Sequence, residues 1–279
     1  MKYFSKERFC NFNIHYEAFY SFRYFCECME KLGIRHAELI AGHQSLFIDD
    51  KHISDLSKQK QLLKCHQIEV GSISAQSCRF QYQFAAKEKD LKDKSLNFFK
   101  NGIRVAAELG APLLQVNTGW GYLNEPKDEV FKRVVDMFVN LCEFGDECGI
   151  NICCESLRPQ ESLVGATVKD IRRLYDALRH PRFKIMIDTC AMGVAGETIQ
   201  DWFDSFPKGE IIHTHFQDGT PYYHLVFGDG KRSLNDDLKA LYDNGYTGLI
   251  SQELTLARYY QDPFAADQRS LEAFSEYMY

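Results

Sequence analysis

Eight short apolar runs alternate with longer helix-like stretches along the chain, and this alternation limits the fold more than any other sequence feature. The runs are rich in Val, Ile and Leu and are therefore predicted strands. Several of the stretches between them close on a glycine, the residue expected just past a helix end. The predicted strands are Phe12–His15, His36–Ile40, Glu69–Ser74, Leu113–Asn117, Ile150–Glu155, Lys184–Asp188, Ile211–His215 and Leu249–Leu254.

Strict strand–helix alternation within 279 residues predicts an α/β fold, the closed (β/α)8 or TIM barrel. An open doubly wound sheet is the competing fold. The first strand-to-helix junction has no GxGxxG, however, and no segment reads GxxxxGK[ST], so the phosphate-binding loops of nucleotide folds are missing. No linker or low-complexity tract divides the chain. We therefore expect residues 1–279 to form a single TIM-barrel domain.

Charge and composition exclude several classes of partner. The chain has 33 Lys and Arg against 39 Asp and Glu, a net charge of -6, and its basic residues are scattered, so we expect no nucleic acid partner. Without a signal-peptide pattern or a membrane-length apolar run, we also expect no membrane association and a cytoplasmic location.

The ten cysteines show no disulfide or zinc spacing and are predicted to be reduced and mostly buried. The tyrosine-rich end, ARYYQDPF and EAFSEYMY, is a candidate homo-oligomer contact.

Polar side chains stand at the ends of the last four predicted strands. The carboxyl ends of TIM-barrel strands form the active-site face, so these side chains should meet there. Three carboxylates and one imidazole suit Mn²⁺ best among divalent cations, with Co²⁺, Mg²⁺ and Zn²⁺ as alternatives. One cation would also offset the repulsion between the carboxylates. The predicted metal ligands are Glu155, Asp188, His215 and Glu253.

Each of these four residues, taken alone, also fits a solvated side chain or a helix cap; only the set indicates a metal. The seventh predicted strand contains two histidines, and either could be the imidazole ligand. His215 is selected because it lies nearer the carboxyl end and is followed by Asp218. His213 is expected to point to the opposite side of the strand, as a packing or hydrogen-bonded residue.

The four residues and their surroundings resemble the xylose-isomerase-like sugar isomerases and epimerases. Within that superfamily the C-terminal half is most similar to the fructoselysine 3-epimerase group and more distantly similar to the ketose 3-epimerases. The resemblance is specific from about Glu155 onward. It rests on ESLRPQES, HPRFKIMIDTCA, HTHFQDG, HLVFGDGKRSL and NGYTGLISQELTLARYYQDPFAADQRSLEAF.

The resemblance implies a metal-dependent isomerase or 3-epimerase acting on a small-molecule sugar. Glu155 and Glu253 would be the catalytic acid and base, one removing the C3 proton to give an enediolate and the other returning a proton to its opposite face. Three further residues of this half, Arg158, Glu161 and His224, are candidate substrate-binding groups. Trp120, after the fourth predicted strand, is a candidate wall of the sugar site.

Two departures from the ketose 3-epimerase pattern favour the fructoselysine-type branch. Where ketose 3-epimerases have a substrate-contacting histidine, three residues after the strand-six aspartate, this chain has Ala191, as the fructoselysine-type group does. The segment QDGTPYYH also lacks the arginines that follow the metal histidine in enzymes acting on free ketoses. We therefore expect a ketose or a fructoselysine-like ketose-amine as substrate.

Other reactions on the same barrel stay open at this point. A metal-dependent lyase that cleaves carbon-linked glycosides could start from a similar deprotonation. An endonuclease IV-like hydrolase would need more histidines and a basic DNA face than nine histidines and a charge of -6 provide. A sugar-phosphate isomerase is a further alternative, although no phosphate-binding loop is found. A sugar-binding barrel without catalysis would not need all four predicted ligands.

Overall fold

The strands close into a parallel barrel. The computed structural model describes residues 1–77 and 81–279, and within these ranges each of eight strands pairs with the next, while the first pairs with the last. This arrangement confirms the predicted (β/α)8 TIM barrel. The strands are β1 Phe9–Phe12, β2 His36–Ala41, β3 Glu69–Ala75, β4 Leu113–Asn117, β5 Asn151–Glu155, β6 Phe183–Asp188, β7 Ile211–His215 and β8 Ile250–Gln252.

Helices connect the strands, and glycines end several of them as the sequence predicts. Gly33, Gly110 and Gly149 follow the helices Phe22–Leu32, Lys89–Leu109 and Lys127–Cys148 in the left-handed conformation that a residue without Cβ adopts most easily. The helices of the described ranges are α1 Ile14–Glu17, α2 Phe22–Leu32, α3 Ser57–Cys65, α4 Lys89–Leu109, α5 Lys127–Cys148, α6 Val168–Leu178, α7 Thr189–Val194, α8 Ile199–Ser205, α9 Leu234–Asp243 and α10 Pro263–Ser275, with short 3-10 helices at Lys6–Arg8 and Ala257–Tyr260.

The barrel interior changes from apolar to polar along the strands. Leu113, Cys153 and Met186 form a small buried cluster inside the barrel. Residues two apart on a strand share a face, so the next inward positions on β5 and β6 are Glu155 and Asp188. The strand pattern therefore places these carboxylates one layer above Cys153 and Met186, at the carboxyl end of the barrel.

The predicted first strand, Phe12–His15, is wrong in position. β1 ends where that run begins, and Asn13 instead precedes the short helix α1. The Asn13 side-chain oxygen accepts a hydrogen bond from the backbone N–H of Ile40 at 2.9 Å, which turns the chain away from the sheet. The predicted strand Leu249–Leu254 is longer than β8. The other six predicted strands agree with the structure to within one residue at each end.

Three further predictions concern the cysteines, the membrane and the C-terminal end. The nine described cysteines are free and most are buried, as predicted, whereas Cys78 lies outside the described residues. No helix in the described ranges has the length and apolar character that crossing a membrane requires. At the tyrosine-rich end, Tyr259 is buried and Tyr279 is exposed. A subunit contact at this end stays a prediction.

Candidate functional site

A cavity of about 550 Å³ opens where the strands of the barrel end. It contains three of the four predicted metal ligands and three of the four predicted substrate-binding residues. The described lining residues are Ile14, Gln76, Glu155, Ser156, Leu157, Arg158, Glu161, Asp188, Ala191, Tyr222, Tyr223, His224, Glu253, Thr255, Leu256 and Tyr260.

The four predicted metal ligands meet at the base of this cavity, and His224 joins them. Nδ1 of His215 lies 2.6 Å from Oε1 of Glu155 and 3.0 Å from Oε2 of Glu253. Nε2 of His224 lies 3.2 Å from the same oxygen of Glu253 and 3.4 Å from Oδ2 of Asp188. Two groups of three donors therefore share Glu253. The backbone brings them together because β5, β6 and β7 end on Glu155, Asp188 and His215, and β8 ends one residue before Glu253.

Amide side chains hold the carboxylates in place. Gln115 donates from Nε2 to Oε2 of Glu155 at 2.8 Å, and Gln217 donates from Nε2 to Oδ1 of Asp188 at 2.6 Å. In each case the other carboxylate oxygen faces a histidine. These two glutamines were missed in the sequence, although Gln115 lies on β4 and Gln217 follows the end of β7 by two residues.

Burial and mutual charge shift the pKa values of the cluster. Burial raises the pKa of Glu155 to about 7, although His215 beside it works in the opposite direction. Burial would lower the pKa of His215, but Glu38, Glu253 and Glu155 outweigh it and hold that pKa well above its ordinary range. The pKa of His224 is raised in the same way by Glu253 and Asp188. The cluster therefore retains protons at neutral pH, shared between imidazoles and carboxylates.

The donor set fits a divalent cation. Within Glu155–His215–Glu253 and within Asp188–His224–Glu253, the donor atoms lie within 4.8 Å of one another. Carboxylate oxygens with imidazole nitrogens suit Mn²⁺, Co²⁺, Mg²⁺ or Zn²⁺, and a cation could replace the protons that now hold the acids together.

Two of the predicted substrate-binding residues form an ion pair in the cavity wall. Arg158 donates from Nε to Oε2 of Glu161 at 2.8 Å. It also donates from Nη2 to Oε1 of the same carboxylate. This pairing with Glu161 raises the pKa of Arg158. Arg158 also donates from Nη1 to the carbonyl of Tyr222 at 3.2 Å, so the pair fixes the loop that follows β7.

Trp120 is not brought to the cavity with the other predicted residues. It is not among the described lining residues, and its carbonyl accepts a hydrogen bond from the N–H of Leu163 at 3.2 Å. The backbone of Trp120 thus supports the loop after β5. Among the described residues, the tyrosines that line the cavity are Tyr222, Tyr223 and Tyr260.

The expectation that His213 and His215 point to opposite sides of their strand is wrong. Residues two apart on a strand share a face, and both rings point into the barrel and contact the same carboxylate, that of Glu38. Glu38 itself was missed. The signal that could have found it is a charged residue inside the apolar strand AELIA.

Comparisons with known proteins agree with this architecture. The family model described as "Xylose isomerase-like TIM barrel" matches residues 26–276. The chain is 26% identical over 246 residues to the fructoselysine 3-epimerase of Shigella flexneri, covering 88% of each chain.

Solved structures share the fold at lower identity. An L-ribulose 3-epimerase has a TM-score of 0.81 at 13% identity, covering 96% of this chain and 93% of its own. The D-psicose 3-epimerase of Clostridium cellulolyticum H10, solved with D-tagatose, has a TM-score of 0.77 at 17% identity, covering 97% and 99%.

Proposed function

Because the chain belongs to the xylose isomerase-like TIM barrel family, we propose that it is a divalent-metal-dependent sugar epimerase acting next to the keto group of a ketose or ketose-amine. The observation that supports this most is that Glu155, Asp188, Glu253 and His224 line one cavity, with His215 in contact with two of these carboxylates at its base. The similarity to a fructoselysine 3-epimerase points in the same direction.

In this proposal the cation is Mn²⁺, held by Glu155, Asp188, His215 and Glu253, with His224 as a neighbouring donor. When bound, it would stabilise the negative charge that develops on the substrate oxygens as a carbon-bound proton leaves. Gln115 and Gln217 keep one oxygen of Glu155 and of Asp188 fixed, so that the other oxygen faces the site.

Glu155 and Glu253 are the proposed acid and base. Both line the cavity, and both contact Nδ1 of His215, so their carboxylates meet at one point of the site. In the site without a metal, burial raises the pKa of Glu155, so this glutamate binds a proton more strongly than an exposed one does. One glutamate takes the C3 proton, and the other delivers a proton to the opposite face, which inverts the carbon.

The charges of the wall favour an unphosphorylated substrate. Of the described lining residues, Arg158 alone carries a permanent positive charge, and Glu161 already neutralises it. The rim presents Tyr222 and Tyr223, each about half exposed, which could pack against the sugar or its amine substituent. We further propose that residues 1–279 act as one domain, since the bridge between Phe4 and Met278 joins the two ends of the chain.

A substrate screen tests the proposal. Fructosamines, free ketoses and ketose phosphates are incubated with the Mn²⁺-loaded protein, and C3 epimers are sought by NMR. We expect a fructosamine or free ketose to be inverted, and Asp188→Asn to lose both metal and turnover. Turnover confined to ketose phosphates would favour the sugar-phosphate isomerase, and loss of the substituent would favour the lyase. Without any turnover by metal-loaded protein, the proposal fails.

A further inference from the structure

Glu38 is a carboxylate sealed inside the barrel, directly below the candidate site. It lies in the middle of β2 and its side chain has no exposed surface. Burying a carboxylate costs several kcal/mol unless hydrogen bonds compensate for the lost water. Its partners therefore show what this carboxylate does.

The partners of Glu38 come from three other strands. Oε2 lies 2.7 Å from Nε2 of His213 and accepts a hydrogen bond from the Ser251 hydroxyl at 2.7 Å. Oε1 lies 3.1 Å from Nε2 of His215 and 3.4 Å from the Ser72 hydroxyl. Both oxygens are thus engaged, and the carboxylate cannot turn without breaking a bond to one of the two histidines.

An ionised carboxylate offers only acceptors, so the hydrogen between Glu38 and His215 belongs to Nε2 of the histidine. In a neutral imidazole the other nitrogen then carries the lone pair. That nitrogen, Nδ1, is the one facing Glu155 and Glu253. The ring plane is fixed as well, because Phe12 stacks on His215 with centroids 5.4 Å apart and planes inclined by 22°.

We propose that Glu38 is a positioning residue that fixes the tautomer and the ring orientation of His215, so that Nδ1 is the nitrogen presented to the cation. His213 assists by holding the second oxygen of Glu38 in place. The inference rests on the proposed metal site. It adds to that site a residue on β2 that does not line the cavity.

The test compares Glu38→Gln with a matched control. An amide has one oxygen and one NH₂ group, so it opposes the N–H of one of the two histidines and no longer fixes both tautomers. The control is Asp267→Asn. Asp267 is another buried carboxylate with a histidine partner, His15 Nε2 at 2.7 Å.

Metal binding is measured by calorimetry with Mn²⁺, and stability by thermal unfolding. Outer residues that orient a metal-bound histidine typically change affinity by about 10–100-fold, so we expect a loss of that size in Glu38→Gln. Asp267→Asn should lower the unfolding temperature too, but should change the Mn²⁺ affinity by less than about twofold, since its partners lie outside the site.

A second measurement determines the tautomer of His215 in the wild-type protein. Long-range ¹H–¹⁵N NMR on wild-type protein with one equivalent of Zn²⁺, a diamagnetic probe, reports which nitrogen of His215 bears hydrogen. The signal is assigned with His215→Gln. We expect hydrogen on Nε2. Hydrogen on Nδ1 would overturn the proposal.

The remaining outcomes separate this inference from the proposed function. Wild-type protein that binds no metal contradicts the proposed function itself. Wild-type binding with unchanged affinity and unchanged tautomer in Glu38→Gln overturns only the role of Glu38. Two bound equivalents in the wild type and one in Glu38→Gln would make Glu38 a ligand of a second ion with His213, which also overturns the proposal.

Discussion

At the scale of single residues, Glu253 connects the two halves of the candidate site. Its Oε2 contacts Nδ1 of His215 and Nε2 of His224, so one carboxylate oxygen serves both groups of donors. Glu155 contacts His215 through Oε1, and its other oxygen accepts a hydrogen bond from Gln115. The two proposed acid–base residues therefore have different surroundings although they have the same chemistry.

Replacing either glutamate should stop epimerisation but leave an asymmetric exchange reaction. In Glu155→Gln or Glu253→Gln, the remaining glutamate can still remove and return the C3 proton of the epimer that it faces. We expect turnover to fall by roughly 10²–10⁴-fold in both variants. Deuterium wash-in measured by NMR for each C3 epimer should show opposite preferences in the two variants. Near-wild-type turnover in Glu253→Gln would rule out two bases.

Metal affinity should increase with pH because the free site holds protons. A raised pKa on His215 and on His224 means that both imidazoles are charged at neutral pH, and Glu155, with a pKa of about 7, is still partly protonated there. A cation must displace these protons, so binding strengthens as pH rises through 7 and above. Calorimetry in buffers of different ionisation enthalpy should show roughly one or more protons released per Mn²⁺ at pH 7. Affinity that stays constant from about pH 6 to 8.5 would contradict this.

At the scale of elements, the loop after β7 depends on one buried carboxylate. Asp218 accepts hydrogen bonds from the backbone N–H groups of Gly219, Gly228, Gly230 and Arg232, at 2.7 to 3.0 Å. Its own backbone pairs in both directions with Leu225, the residue after His224. The loop that delivers His224 to the site is therefore folded round Asp218.

Asp218→Asn should loosen this loop. The new NH₂ group cannot accept hydrogen bonds, so about two backbone donors lose their partner, at roughly 1–3 kcal/mol each. We expect the free energy of unfolding in denaturant to fall by about 2–6 kcal/mol, with weaker activity because His224 is displaced. Asp243→Asn, whose ion pair with Lys239 is on the surface, should stay within about 0.5 kcal/mol of wild type. Equal stability of the two variants would show that Asp218 does not organise the loop.

The sequence predicts an element well where neighbouring residues define it, and poorly where contacts between distant residues define it. Leu113–Asn117 and Ile211–His215 are correct at both ends because apolar runs with clear breaks define them. β1 is misplaced because the helical turn at Asn13 depends on a contact with Ile40, which is distant in sequence. Likewise, the four candidate metal ligands could be predicted because each stands at the end of a predicted strand. The partners of Glu38 lie on other strands and approach it only when the barrel closes.

At the scale of the whole molecule, the barrel places like charges together at one end. Three carboxylates from β5, β6 and the end of β8 lie close to two histidines, and the apolar side chains of Leu113, Cys153 and Met186 are buried in the barrel interior. Barrel closure fixes this arrangement, so binding a cation there should stabilise the folded chain as a whole.

Saturating metal should therefore raise the unfolding temperature. At 100 times its dissociation constant, a ligand adds about 2.7 kcal/mol to the free energy of unfolding. For a chain of this size, this corresponds to roughly 4–5 °C. Thermal scans with Mn²⁺ and with a chelator should show this difference. Asp188→Asn should abolish it, whereas Asp204→Asn, an exposed aspartate on α8, should retain it. A metal-independent unfolding temperature in the wild type would contradict the metal assignment.

The proposed chemistry, metal-dependent inversion next to a keto group, is tested most directly by reaction in deuterated water. A fructosamine or ketose that the enzyme turns over is incubated with Mn²⁺-loaded protein in D₂O, and the products are analysed by NMR and mass spectrometry. We predict an epimer inverted at C3 that carries one deuterium there and keeps its substituent, with no product when a chelator removes the metal. Inversion without deuterium, or deuterium exchange followed by loss of the substituent, would contradict it.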